Sequence, residues 1–112
     1  MRVERLKRPR EFGHTVSTGR TYTNRFLVVF VSAVPGEPTR VGFAAARSAG
    51  TAVKRNRIRR RLRAAVAGLS RPFCPGRRIV VLGKASVLTA SWRELTGALA
   101  ALLDRAGCLE GD

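Results

Sequence analysis

Acidic residues are scarce in this chain. Seven Asp and Glu stand against 22 Lys and Arg, and none of the seven falls between Glu37 and Glu94. Histidine occurs once, as His14, and cysteine twice, as Cys74 and Cys108, with no CxxC pair. A zinc site needs three or four such ligands at close spacing, so none is expected and both cysteines read as free thiols. The acids Glu4, Glu11, Glu37, Glu94, Asp104, Glu110 and Asp112 are scattered along the sequence. They offer no carboxylate set for a hydrolytic metal centre, which argues against a protein-only nuclease. No apolar run approaches the roughly 18 to 20 residues that cross a bilayer, and the opening MRVERLKRPR lacks the apolar core of a signal peptide. A cytoplasmic location without membrane contact is expected.

What the chain does have is a folding complement of apolar residues under a large positive charge. Its 112 residues are 45% hydrophobic with a net charge of +15. One domain with a modest core follows, spanning 1–112 with its core over 4–106, an extended basic N-terminus and a short polar tail. A charge of that size on a folded surface points to a polyanionic partner.

The charge is concentrated. Seven of the ten residues from Lys54 to Arg63 are basic, in the stretch GTAVKRNRIRRRLR from Gly50. Ile58, Leu62, Ala65, Val66 and Leu69 fall on one helical arc, while Asn56, Arg59, Arg60 and Arg63 lie on or near the other. An ordinary salt-bridged surface helix would interleave acids at i±4, and here there are none. The phosphates of a polyanionic partner are the natural counter-charge.

In chain order, Pro9 and Gly19 bracket a short helix over Pro9–Thr18, with Phe12 and Val16 on one side. Thr21–Val34, rich in Val, Phe, Thr and Tyr, reads as a largely buried strand. The turn Pro35-Gly36-Glu37-Pro38 leads to a second strand, Thr39–Ala46, predicting an antiparallel hairpin. Small residues at Gly42 and Ala44 to Ala46 leave room for another element. Gly68–Gly76 reads as a loop, and RRIVVLG from Arg77 to Gly83 as a strand. Ser91 and Glu94 have capping-box spacing ahead of a last helix whose inner arc is Trp92, Leu95, Leu99, Leu102, Leu103 and Ala106. Trp92 is therefore expected in the core, while Tyr22 is undecided. The pattern is an α+β sandwich with a βαβ unit around the basic helix and helices on one face of the sheet.

Gly50, Ala52-Val53, Arg55-Asn56-Arg57-Ile58, Arg59-Arg60 and Arg63 resemble the signature of the protein subunit of bacterial ribonuclease P, with its RNR motif. Arg5-Leu6-Lys7, Phe12, Gly19, Asn24-Arg25, Arg40-Val41-Gly42, the RRIVVLG strand and the capped last helix fall in that family's order, over roughly residues 4 to 106. The resemblance implies an α-β-β-β-α-β-α two-layer sandwich, a ribosomal-protein-like fold with a left-handed βαβ crossover that breaks the usual rule. It implies a protein without catalytic residues or a metal site of its own. The catalytic RNA cleaves precursor tRNA to make the mature 5′ end, with magnesium held mainly by that RNA and the substrate, and no DNA partner is expected. The implied surface for the catalytic RNA is Arg47, Lys54, Arg55, Asn56, Arg57, Arg59, Arg60 and Arg63. The implied cleft for the single-stranded 5′ leader is lined by Phe12, Val16, Asn24, Arg25 and Phe30.

The residue types suit those roles. Arg55 and Arg57 can grip phosphate bidentately, Asn56 offers both donor and acceptor, and a helix N-terminus under the tripeptide would add free N–H groups. Phe12 and Phe30 can support unstacked bases, or can serve simply as core. Three features depart from the family. Val16 stands where a second phenylalanine is common, Ser48 breaks a common Lys-Lys pair and leaves Arg47 alone, and Gly13, Thr15 and Ser17 weaken the first helix. A ribosomal protein or general RNA chaperone on the same basic α+β scaffold is the competing reading.

Overall fold

The computed structural model describes residues 4–111; Arg2 of the basic cluster and Asp112 lie outside the described residues. The chain runs β1 (Glu4–Arg5), α1 (Pro9–Thr18), β2 (Arg20–Thr23), β3 (Leu27–Ala33), β4 (Arg40–Ala45), α2 (Ala52–Ala67), β5 (Arg77–Gly83) and α3 (Trp92–Arg105). Single 3-10 turns at Arg47–Ala49 and Ala85–Leu88 precede α2 and α3. The strands form one sheet in the order β1-β4-β5-β3-β2. β4 and β5 are parallel neighbours joined through α2, as the α+β reading requires.

Two strand expectations are corrected. Thr21–Val34 is not one strand but an antiparallel pair, β2 and β3, with Thr23 opposite Val28. Asn24 makes the turn between them: its Oδ1 accepts from the N–H groups of Phe26 at 3.0 Å and Leu27 at 2.9 Å. That side-chain mimic of a turn carries no glycine or proline to mark it in the sequence.

Nor do β3 and β4 form a hairpin. β5 lies between them, antiparallel to β3 and parallel to β4. The physical reason is apolarity: Ile79, Val80 and Val81 are completely buried, and a strand apolar on both faces takes the centre of a sheet. Its entry point is fastened on both sides, Val34 N donating to Gly76 O at 2.8 Å and Gly76 N to Glu37 O at 2.9 Å.

Register assigns the two faces of the sheet. Leu27, Val29, Val41, Ile79 and Val81 share one face and are buried under Ile58 and Leu62 of α2 and Leu95, Leu99 and Leu103 of α3. Gly83 sits on this face because Ile58 and Leu62 approach its backbone too closely for a β-carbon. On the opposite face, Gly42, Val80 and Phe30 align in one row, and Phe12 of α1 packs onto Gly42. The helices therefore do not all lie on one face: α1 covers the side that α2 and α3 leave bare. Periodicity shows that a helix has an apolar stripe, not which side of a sheet receives it.

The last helix begins as its sequence predicts, with Ser91 and Glu94 closing a reciprocal capping box at 3.1 Å in each direction. Trp92 is the exception on its arc. It is 48% exposed, because it stands at the first helical position, ahead of the turns that cross the sheet.

Candidate nucleic-acid interface

The C-terminal ends of β4 and β5 lie together, Ala45 opposite Gly83, and Gly83 opposite Leu27. One end of the sheet thus gathers the Asn24–Phe26 turn, the Arg47 turn, the start of α2 and Lys84. Thr51 caps α2, its Oγ1 accepting from Lys54 N at 3.3 Å. No acid occupies the first turn, so Lys54, Arg55 and Arg57 stand near the positive end of a helix dipole with nothing to offset them.

The backbone here corrects one expectation. Arg55 N already donates to Thr51 O at 3.0 Å, so the tripeptide lies inside the helical ladder. The orphan N–H groups of this helix end belong to Ala52 and Val53 instead. Thr51 was not among the expected site residues, although a threonine before a basic amphipathic run is an N-cap signal.

The candidate side chains divide by what they touch. Arg47, Lys54, Asn56, Arg57 and Arg60 are exposed, and Arg55 and Arg59 are half-buried. Arg55 Nε is buried without a hydrogen-bond partner among the described residues, beside the exposed cations. Arg63 leans back over Phe43, its guanidinium 5.9 Å from the ring centroid. Arg61, absent from the expected set, turns the other way and donates to Val87 O. The cations thus wrap around both flanks of α2 as well as its crest.

None of these arginines has an ion-pair partner among the described residues. Three of the acids lie in one ion-pair network elsewhere, while Glu94 caps α3 and Asp104 pairs with Arg71. Glu11 of α1 pairs with Arg78 at 3.0 Å, Arg78 reaches Glu37 at 3.5 Å, and Arg40 reaches Glu4 at 3.4 Å. These contacts neutralise the sheet cations under α1 and fasten its N-terminal half to the sheet. Among the described residues no group of His, Cys, Asp and Glu has the make-up of a metal site.

The second candidate surface is the cleft beside α1. Burial along the sheet face grades from row to row: Val80, under α1, is fully buried, while Val28, Leu82 and Ala44 in the next row are half-buried. Those three residues form the uncovered floor. The alternation within the run Phe26 to Val31 puts Val28 and Phe30 on this face, a signal that marked the run as buried on both sides without separating the faces.

Phe12 and Phe30 are both half-buried at the α1 margin, and Val16 is 36% exposed one turn further along. Arg25 stands at the open end, stacked 4.6 Å over Phe26. Lys84, not expected here, closes the rim by donating to Asn24 O at 2.6 Å and Thr23 Oγ1 at 3.1 Å. Asn24 does not line the floor. Its oxygen holds the β2–β3 turn and its amide donates to Ala98 O on α3 at 3.1 Å, so its polar atoms are occupied in structure. Tyr22 packs against the α2 and α3 side and belongs to the core margin.

This pairing of a bare cationic helix start with a half-open apolar cleft can be set against known proteins. The family model described as Ribonuclease P matches residues 1–107. The chain belongs to the ribonuclease P protein family. It is 43% identical to the ribonuclease P protein component of Symbiobacterium thermophilum over 107 residues, covering 95% of this chain and 93% of that one. It is 33% identical to the corresponding component of Herpetosiphon aurantiacus over 105 residues, covering 94% and 85%. Among solved structures, the RNase P protein of Thermotoga maritima superposes with a TM-score of 0.78 at 25% identity, over 96% of this chain and 99% of that one. The Staphylococcus aureus RNase P protein has the same fold, with a TM-score of 0.78 at 22% identity over 97% of this chain and all of that one. No helix among the described residues is long and apolar enough to cross a membrane.

Proposed function

We propose that this ribonuclease P protein component binds the catalytic RNA of the holoenzyme through the start of α2. In the same reading, the cleft between α1 and the sheet takes the single-stranded 5′ leader of precursor tRNA. The observation that carries it is the concentration of Arg47, Lys54, Arg55, Arg57, Arg59 and Arg60 on the N-terminal half of α2 and the turn before it with no acid to pair them, while the acids Glu4, Glu11 and Glu37 are engaged by Arg40 and Arg78. Such a surface is at rest only when phosphates screen it.

Two binding chemistries are then combined. Arg55 and Arg57 take phosphate oxygens of folded RNA through their guanidinium forks. The cleft offers the rims of Phe12 and Phe30 over an apolar floor, which supports unpaired bases without reading them, and Arg25 and Lys84 at its mouth hold the leader backbone. The protein contributes orientation and charge screening rather than a reacting group. Magnesium belongs to the RNA and substrate in this reading, since the chain's carboxylates near the site are already paired with arginine. The setting is cytoplasmic tRNA processing, with no role for DNA.

The deciding experiment is multiple-turnover cleavage of a precursor tRNA by a bacterial ribonuclease P RNA at low magnesium, with and without the protein. Stimulation that vanishes when the leader is cut to one nucleotide is the expected result. Absence of stimulation, together with salt-sensitive binding to any structured RNA, would favour a ribosomal or chaperone role.

A further inference from the structure

Trp92 is the only tryptophan in the chain, and nearly half of its surface is open to solvent. The interior of α3 does not need it, since Leu95, Leu99, Leu102 and Leu103 already fill the sheet-facing side. Its surroundings are nonetheless fixed. The Ser91–Glu94 capping box sets the start of the helix, and Thr96 Oγ1 donates to Trp92 O at 2.9 Å.

Beside the ring lies Arg61, tethered through Nη1 to Val87 O, with its guanidinium carbon 5.9 Å from the ring centroid. Arg57 and Lys54 precede Arg61 on the same ridge of α2, four and seven residues earlier, so a line of cations leads from the helix start to the indole. Glu94, the acid nearest in sequence, has its carboxylate engaged by Ser91 N.

We propose that Trp92, backed by Arg61, is a stacking platform for one unpaired nucleobase of an RNA whose adjoining phosphates lie along Arg57 and Lys54. This rests on the reading of α2 as an RNA-binding helix. The charge of the ridge selects a polyanion, and the open indole face selects a polyanion that carries planar bases. Because α3 and α1 lie on opposite faces of the sheet, the platform is separate from the leader cleft and both can be occupied together. Stacking tolerates any base, so the site fixes position rather than sequence.

The single tryptophan makes the test direct. Indole emission of the full chain is followed during titration with a bacterial ribonuclease P RNA, while anisotropy of the same RNA, fluorescently labelled, reports affinity. Quenching that tracks binding is expected. Trp92→Ala should weaken affinity about tenfold while leaving the log-log salt slope unchanged, since no charge is removed, and Trp92→Phe should recover most of the loss. Should Trp92→Ala melt early, quenching in the unaltered chain and the affinity of Trp92→Phe still decide. Tight binding with unaltered emission, or a Trp92→Ala variant that binds as the parent does, would overturn the platform and leave the α2 reading standing. A parent chain with no salt-sensitive affinity for this RNA would overturn both.

Discussion

Phe12 rests on Gly42, its Cε2 2.7 Å from the position a β-carbon would occupy on that glycine. The contact sets the height of α1 above the sheet and therefore the width of the cleft. Gly42→Val is expected to lift Phe12 and cost about 1–3 kcal/mol by overpacking, read as a lower urea midpoint. An unchanged midpoint would show that α1 yields at no cost.

Phe12 itself stands between a packing role and a ligand role. Phe12→Ala should weaken binding of leader-bearing precursor tRNA more than binding of mature tRNA, because only the former has an unpaired strand to stack. Equal losses on the two RNAs would assign the ring to packing alone.

Arg57 is exposed, and no acid lies in the first turn of its helix. Replacing it with alanine should reduce the log-log salt slope of binding to ribonuclease P RNA by roughly 0.7 to 0.9, the share of one phosphate contact. Arg55→Ala should do the same. If affinity and slope both survive in the two variants, the start of α2 is not the RNA contact.

Cys108 is completely buried, and burial pushes its thiol from 9.0 up to about 11, with Arg77 pulling it down and Cys74 adding to the rise. The folded chain thus keeps this proton after the unfolded chain has lost it. Stability is unaffected below pH 9 and falls as pH rises from 9 to about 11, by an amount on the order of 2 kcal/mol. Urea midpoints across that range should decline less steeply for Cys108→Ala than for the parent. Parallel declines would remove the thiol as the cause.

Local order was legible in the sequence, and sheet order was not. Pro9 and Gly19 bracket α1, Ser91 and Glu94 form the predicted cap, and four residues of the arc expected of α2, Ile58, Leu62, Ala65 and Val66, are buried, while Leu69 lies past the end of the helix. Each depends on neighbours within a turn or two. The β5 insertion depends on partners some forty residues away, so the Pro35–Pro38 connection looked like a hairpin loop when it is a bridge over a strand arriving later. Trp92 was misplaced for a related reason: a helical projection records angle around the axis and not distance along it. The absence of acids around the RNR cations was readable in the sequence, whereas the positions of Lys84 and Arg61 became visible only through their hydrogen bonds.

The fastening of Gly76 between Val34 and Glu37 bears on the order of folding. The strands on either side of the central slot are made early by the ribosome, and the strand that fills it is made late. Until RRIVVLG emerges, β4 has no partner on that side and β3 has only β2, so the sheet cannot close into one piece. Closure joins residues far apart in sequence, and such non-local pairing is slow. During synthesis the exposed edges of β3 and β4 are open to pairing with other chains, and the last third of the polypeptide is what removes that hazard.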